Sequence, residues 1–147
     1  MDLLEEYRRA TMFFESGDPL AAARLLEPIV EAEPQNAAVR QLLARAYFQS
    51  AQLARAEAQL RALIERDPTD HYAHHVLGRT LERAGRFAEA LPHLRLAAAM
   101  NQHEDYRAAL ERVETWVGPN GGRAPGSGPG SSGPGSSGPG SSGPVSE

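Results

Sequence analysis

The sequence predicts an all-α fold of three helical hairpins and a terminal capping helix, followed by a disordered tail. Three observations predict it. Apolar residues recur at three- and four-residue spacing through 3–117, a stretch rich in Ala, Leu, Glu and Arg, residue types that favour helix. The same stretch repeats itself at an offset of 34 residues, and a fixed period of that kind signals stacked repeats. From Gly118 to Glu147 the chain turns almost entirely to Gly, Ser and Pro, with too little apolar surface to offset the entropy of ordering.

The offset pairs Ala10 with Ala44 and Gly78, Phe13 with Tyr47 and Leu81, Ala22 with Ala56 and Ala90, and Leu26 with Leu60 and Leu94. It divides the helical part into repeats 3–36, 37–70 and 71–104, with a capping helix over 105–117. In each repeat a small residue lets the first helix approach the alanine of the second, and the bulky residues fill the space between layers. Gly17 and Gly85 suit a tight turn, because glycine tolerates a positive φ. Asp18-Pro19 starts a second helix with a capping carboxylate and a proline at the first helical position. Asn36 and Asp70 cap the helices that follow Pro34 and Pro68. Pro28 and Pro92 fall inside predicted second helices and are expected to kink or shorten them.

The tail, 118–147, carries the tandem unit Gly-Pro-Gly-Ser-Ser at 128–132, 133–137 and 138–142. Glycine does not recur at every third residue, which rules out collagen, and the prolines are too widely spaced for a P-x-x-P ligand. A flexible coil of this length spans about 30 Å and reads as a tether or spacer.

The 34-residue period and the pattern Leu77-Gly78-x-x-Leu81, Gly85-x-Phe87, Glu89-Ala90, Leu94, Ala97 resemble the tetratricopeptide-repeat (TPR) consensus. Repeat two resembles it through Leu43, Ala44, Tyr47, Ala56, Leu60 and Asp67-Pro68-Thr69-Asp70. Arg40 and His74 stand where that consensus prefers Trp. The resemblance implies a right-handed superhelix whose first helices line a concave groove, and a module that binds a peptide or helix of another protein and catalyses nothing. Carried over position by position, it assigns to the groove Tyr7, Thr11 and Phe14, then Ala38, Gln41, Arg45 and Phe48. Tyr72, His75, Arg79 and Glu82 follow from repeat three, and Tyr106 and Trp116 from the capping helix. Arg45 and Arg79 recur at one position and are placed to hold a carboxylate in register. The other assignment open to these residues has Phe14, Phe48 and Tyr72 filling gaps between repeats and both arginines paired with nearby acids. The chaperone-binding class of the family uses Lys and Asn in its carboxylate clamp, and Tyr7 and Thr11 at the matching positions argue against that partner.

Composition narrows the remaining functions. The chain has no cysteine, and all 15 of its Lys/Arg positions are arginine, which excludes thiol chemistry, Schiff bases and the P-loop lysine. That arginine bias, with abundant Ala, Gly and Pro, fits a GC-rich bacterial genome. A net charge of −4 argues against nucleic acid. No stretch nears the roughly 20 apolar residues of a membrane helix, and the acidic start Met1-Asp2-Leu3-Leu4-Glu5-Glu6 lacks the pattern of a secretory signal. A cytoplasmic protein without metal or cofactor is expected. His71, His74 and His75 share one helix at ligand-like spacing but lack a third ligand, and read as surface or interface residues. Ser16 and Ser50 fall at turns with no nucleophile elbow around them. The alternative to a peptide-binding adaptor is self-assembly through the terminal helices, where Trp116 and Val117 leave the last helix less polar than the first.

Overall fold

The computed structural model describes residues 2–118. Among them the chain forms seven helices and no strand: α1 (Leu3–Glu15), α2 (Pro19–Ala32), α3 (Ala37–Gln49), α4 (Leu53–Arg66), α5 (His71–Arg83), α6 (Phe87–Met100) and α7 (Glu104–Val117). The last begins one residue before the expected start at Asp105. The Gly/Ser/Pro segment 119–147, expected to be a disordered tail, lies outside the described residues. No described helix is long and apolar enough to cross a membrane.

Local chemistry sets the boundaries. Carboxylates or amides of Asp2, Asp18, Asn36 and Asp70 accept from backbone N–H groups in the first turns of α1, α2, α3 and α5, satisfying donors that have no intrahelical acceptor. His103 does the same for α7 through Nδ1, which accepts from Asp105 N at 3.1 Å. The first helix of every repeat ends in a Schellman turn. Asp18 N donates to Phe13 O at 2.8 Å, Gln52 N to Tyr47 O at 2.8 Å and Arg86 N to Leu81 O at 2.9 Å. The residue before each donor holds a positive φ: 90° at Gly17, 62° at Ala51 and 80° at Gly85.

Pro28 and Pro92 do not shorten their helices. Both α2 and α6 run 14 residues, the length of the proline-free α4. Lateral packing fixes these helices. Along α2 the buried residues Ala22, Leu26 and Ile29 lie on one stripe, while Pro28 faces out.

Packing follows the repeat. Ala10, Ala44, Ala22, Ala56 and Ala90 are fully buried, with Leu26, Leu60 and Leu94 beside them in one continuous core. Tyr47 joins it with its hydroxyl donating to Glu27 Oε2 at 2.5 Å. Burial first, and then the Glu27 carboxylate, push that hydroxyl up to about 12.

Each helix packs against the next along the chain, and α1, α3, α5 and α7 also touch one another in order. Among the described residues α2, α4 and α6 make no such mutual contact. The odd-numbered helices are therefore the closer set, and the stack curves with them on its inner, concave face.

Candidate functional site

Five of the residues assigned to the groove meet in one cavity of about 230 Å³ on that face. Arg45 and Phe48 of α3, with Tyr72, His75 and Arg79 of α5, form most of its wall, and Gln49, Val76 and Asp105 complete it. Its cations lie over aromatic rings. The Arg45 guanidinium sits 4.7 Å above the Phe14 ring, and Arg79 sits 5.5 Å from Phe48. Both the cations and the rings are 34 residues apart, so the repeat carries the stacked pair forward as a unit. A guanidinium over a ring face is attracted by the ring while its N–H groups stay able to donate.

The charges are unevenly matched. Among the described residues no carboxylate lies within ion-pair distance of Arg45. Arg79 Nε is 3.8 Å from Glu82 Oε1, too far for a hydrogen bond. Glu82 instead forms its close pair with Arg112 of α7, which also holds the Arg112 guanidinium above its ordinary range. Phe14 and Phe48 have Glu82 as their counterpart in repeat three, so the ladder of rings ends there in a salt bridge.

His75 is only 6% exposed, and its ring stacks on Tyr106 at 4.4 Å between centroids. Burial, and next the Arg79 charge, lower it from 6.5 to about 4. It is neutral at neutral pH. Its Nδ1 and Arg79 Nε, one helical turn apart on α5, are both buried without a protein partner.

The period recorded in these residues is also found by comparison: residues 13–80 match the tetratricopeptide-repeat family model. Over that stretch the chain carries tetratricopeptide repeats. Solved TPR-like structures superpose on it. A MamA structure (MSR-1) matches at a TM-score of 0.69 and 22% identity, over 78% of this chain and 66% of that one. The chain thus spans about two thirds of MamA. The second TPR domain of human RPAP3, solved with the HSP70 peptide SGPTIEEVD, matches at 0.70 and 20% identity, covering 76% of this chain and 93% of that one. The first TPR of Spaghetti (RPAP3), bound to the HSP90 peptide SRMEEVD, matches at 0.72 and 17% identity, over 77% and 90%. At these identities the likeness establishes a shared fold. No curated protein sequence matches the chain.

The other groove assignments of this TPR array fall elsewhere. Tyr7 and Ala38 line a second cavity at the α1–α3 junction. Thr11 turns its hydroxyl onto Tyr7 O at 3.0 Å, and Gln41 is half-buried on α3. Tyr106 is 4% exposed and bonds His71 Nδ1 at 2.9 Å, so it supports the wall of the site from behind. Trp116 lies flat on Phe87, 4.8 Å and 3° apart, in a separate cavity with Gly85 and Arg86. It is not brought to the Arg45–Arg79 cavity.

Of the histidines read as surface or interface residues, His74 and His75 are both buried, although His75 lines the cavity. Among the described residues no group of three or more potential metal ligands gathers. Reading by groove position also missed Arg83, one turn beyond Arg79, which covers Phe48 at 4.7 Å and donates to Phe48 O at 2.7 Å. Its spacing of four from Arg79 was the available signal.

Proposed function

We propose that this TPR array is a protein-interaction module whose concave face holds a peptide segment of a partner, with Arg45 and Arg79 gripping a carboxylate. One observation carries the reading. Arg45 is held over the Phe14 ring, has no carboxylate within ion-pair distance among the described residues, and faces the same cavity as Arg79. A cation fixed in position and unneutralised pays little entropy to bind an anion. The RPAP3 domains that share the fold were solved with acidic peptides bound, which supports the class of ligand.

A catalytic role finds no support in the hydroxyls. Ser16 donates to Phe13 O at 3.0 Å and Ser50 to Ala46 O at 2.7 Å, so both serve helix ends.

Titration of the isotopically labelled chain with acidic, neutral and basic peptides of equal length tests the reading. The acidic peptide alone should perturb Arg45, Tyr72 and Arg79, and salt should weaken the effect. Perturbation confined to the convex helices, or none, would remove the concave face from consideration.

A second reading is self-association, favoured by the cavity of about 330 Å³ beside Trp116, Val117 and Phe87 at the C-terminal end and by Leu4, 57% exposed at the other. Sedimentation that depends on concentration, and is abolished by Trp116→Ala, would establish it.

A further inference from the structure

A second cavity of about 320 Å³ lies one helix pair before the cationic one, between the starts of α1 and α3 and the end of α2. Its wall is mostly apolar, with Leu3, Leu4, Tyr7, Ile29, Ala38 and Val39 against the polar Glu33 and Asn36. The repeat explains why it is there. Ala38 holds the position that Tyr72 fills in the next repeat and Tyr106 in the one after, each 34 residues on. The small side chain leaves the α1–α3 junction unfilled where the later junctions carry an aromatic ring. Leu4, one repeat earlier at the same position, is exposed at its edge.

The two cavities differ in charge. Glu33 borders the apolar one and disfavours a carboxylate there. Arg45 and Arg79 dominate the other, against Asp105 as its one acidic neighbour. One lies between α1 and α3 and the other between α3 and α5. Packed helix axes are spaced about 8–10 Å apart and the seven residues from Ala38 to Arg45 rise about 10 Å along α3, so the sites are about 13–14 Å apart, which an extended chain advancing about 3.3 Å per residue spans in roughly four residues.

We infer that the occupant of this face is an extended partner segment with an aliphatic or aromatic side chain in the Ala38 cavity and an acidic one, about four residues away, between Arg45 and Arg79. This rests on the concave-face reading above and adds the second anchor and its spacing. The apolar anchor supplies burial energy and the acidic one supplies register. A burial of about 1.5–3 kcal/mol per anchored side chain makes the apolar site worth tenfold or more in affinity.

Selection of random dodecapeptides on the full chain, on Ala38→Tyr and on Arg45→Ala/Arg79→Ala tests it, with equal circular dichroism and melting temperature required of all three. Ala38→Tyr places in the cavity the ring that Tyr72 and Tyr106 carry at this position of the later repeats. The unmodified chain should select an apolar and an acidic residue at fixed spacing. Ala38→Tyr should keep the acidic preference, lose the apolar one, and bind the selected peptide about tenfold more weakly. The double arginine variant should show the converse. An acidic consensus with no apolar partner, or one unchanged by Ala38→Tyr, overturns the two-anchor inference and leaves the carboxylate reading standing. No enrichment, or peptides indifferent to all the substitutions, brings down both. A consensus that reproduces a segment of this chain, with concentration-dependent dimerisation, overturns the inference in favour of a second copy.

Discussion

His74 and His93 face each other Nδ1 to Nδ1 at 3.0 Å, with their rings stacked 5.3 Å apart. His74 Nε2 lies 2.9 Å from Pro68 O. A carbonyl only accepts, so Nε2 carries a hydrogen and, in neutral His74, Nδ1 is the acceptor. His93 Nδ1–H must then be the donor. One repeat earlier Arg40 stands at the position of His74 and does the same work, donating to Pro34 O at 2.9 Å and to Gln59 Oε1 at 2.7 Å. The departures from the family's Trp therefore tie each inter-repeat linker to the following hairpin.

Two different tautomers follow from that geometry. Nitrogen-detected imidazole spectra at pH 7.5 should show neutral His74 protonated at Nε2 and His93 at Nδ1. Finding His93 as the Nε2–H tautomer would refute the bond. His93→Leu should destabilise the chain by about 1–2 kcal/mol, the scale of one lost hydrogen bond and an orphaned acceptor.

Acid should loosen the third repeat. Burial and then the His74 ring lower His93 below its ordinary value, with Arg61, Glu57 and Glu89 also facing it. His75 is lowered further, to about 4, and the charged groups around it are Arg79, Asp105, His103 and Arg112. Below about pH 6.5 the unfolded chain gains protons that the folded histidines refuse, so stability is full above that pH and is lost as pH falls through the window down to the folded values. For His75 alone the loss between pH 7 and 5 is about 2 kcal/mol. Urea unfolding at both pH values should show it, and His75→Phe, which keeps a ring against Tyr106, should flatten the difference. Equal pH dependence in the two proteins would exclude His75 as its source.

What the sequence conveyed was whatever the 34-residue period controls. Ala10, Ala44 and Gly78 fall into register with Ala22, Ala56 and Ala90 because close helix approach permits nothing larger. The caps at Asp18, Asn36 and Asp70 were legible because they serve donors in their own helix. Contacts between helices were less so. The family resemblance assigned Trp116 to the groove but could not show that its ring lies on Phe87. It placed Tyr106 at a groove position without revealing that α7 buries it against His71 and His75. Arg45 and Arg79 read equally as ligands or as partners of nearby acids, and only the coordinates separate Arg45, stacked and unpaired, from Arg79, loosely beside Glu82.

At Gly78, α5 and α6 approach too closely to leave room for a side chain. A Cβ there would sit 2.3 Å from Leu94 Cδ2 and 2.5 Å from Cγ, and Leu94 is fully buried. Gly78→Ala should therefore destabilise by about 1–3 kcal/mol, the range for overpacking a core, although alanine is ordinarily better in a helix by about 1 kcal/mol. Repeats one and two accommodate alanine at the same position, so the penalty is specific to α5 against α6. Combining Gly78→Ala with Leu94→Ala should cost less than the sum of the two. Urea unfolding of the four proteins of that cycle decides it, and a stabilised Gly78→Ala would show that the hairpin can widen.

Ala51 occupies the left-handed position of its Schellman turn at a φ of 62°, where the flanking repeats place Gly17 and Gly85. Its N–H donates to Phe48 O at 3.1 Å, so the turn holds it there. An L-residue in this region costs roughly 1–2 kcal/mol from the approach of its Cβ to the backbone. Glycine removes that cost but adds freedom to the unfolded chain worth about 0.4–1 kcal/mol. The difference favours Ala51→Gly by about 0.5–1 kcal/mol. Ala51 is exposed, so little packing is lost. The reverse substitutions isolate the same term, because a Cβ at Gly17 or Gly85 would meet nothing within 4 Å. Gly17→Ala and Gly85→Ala should each destabilise by about 0.5–1 kcal/mol, through backbone conformation alone. For a folded unit of this size about 1 kcal/mol moves the melting temperature by roughly 4 °C or more, within reach of calorimetry. If Ala51→Gly lowers the melting temperature while Gly17→Ala also lowers it, the second turn differs from the first in more than its residue, and strain at Ala51 is not what separates them.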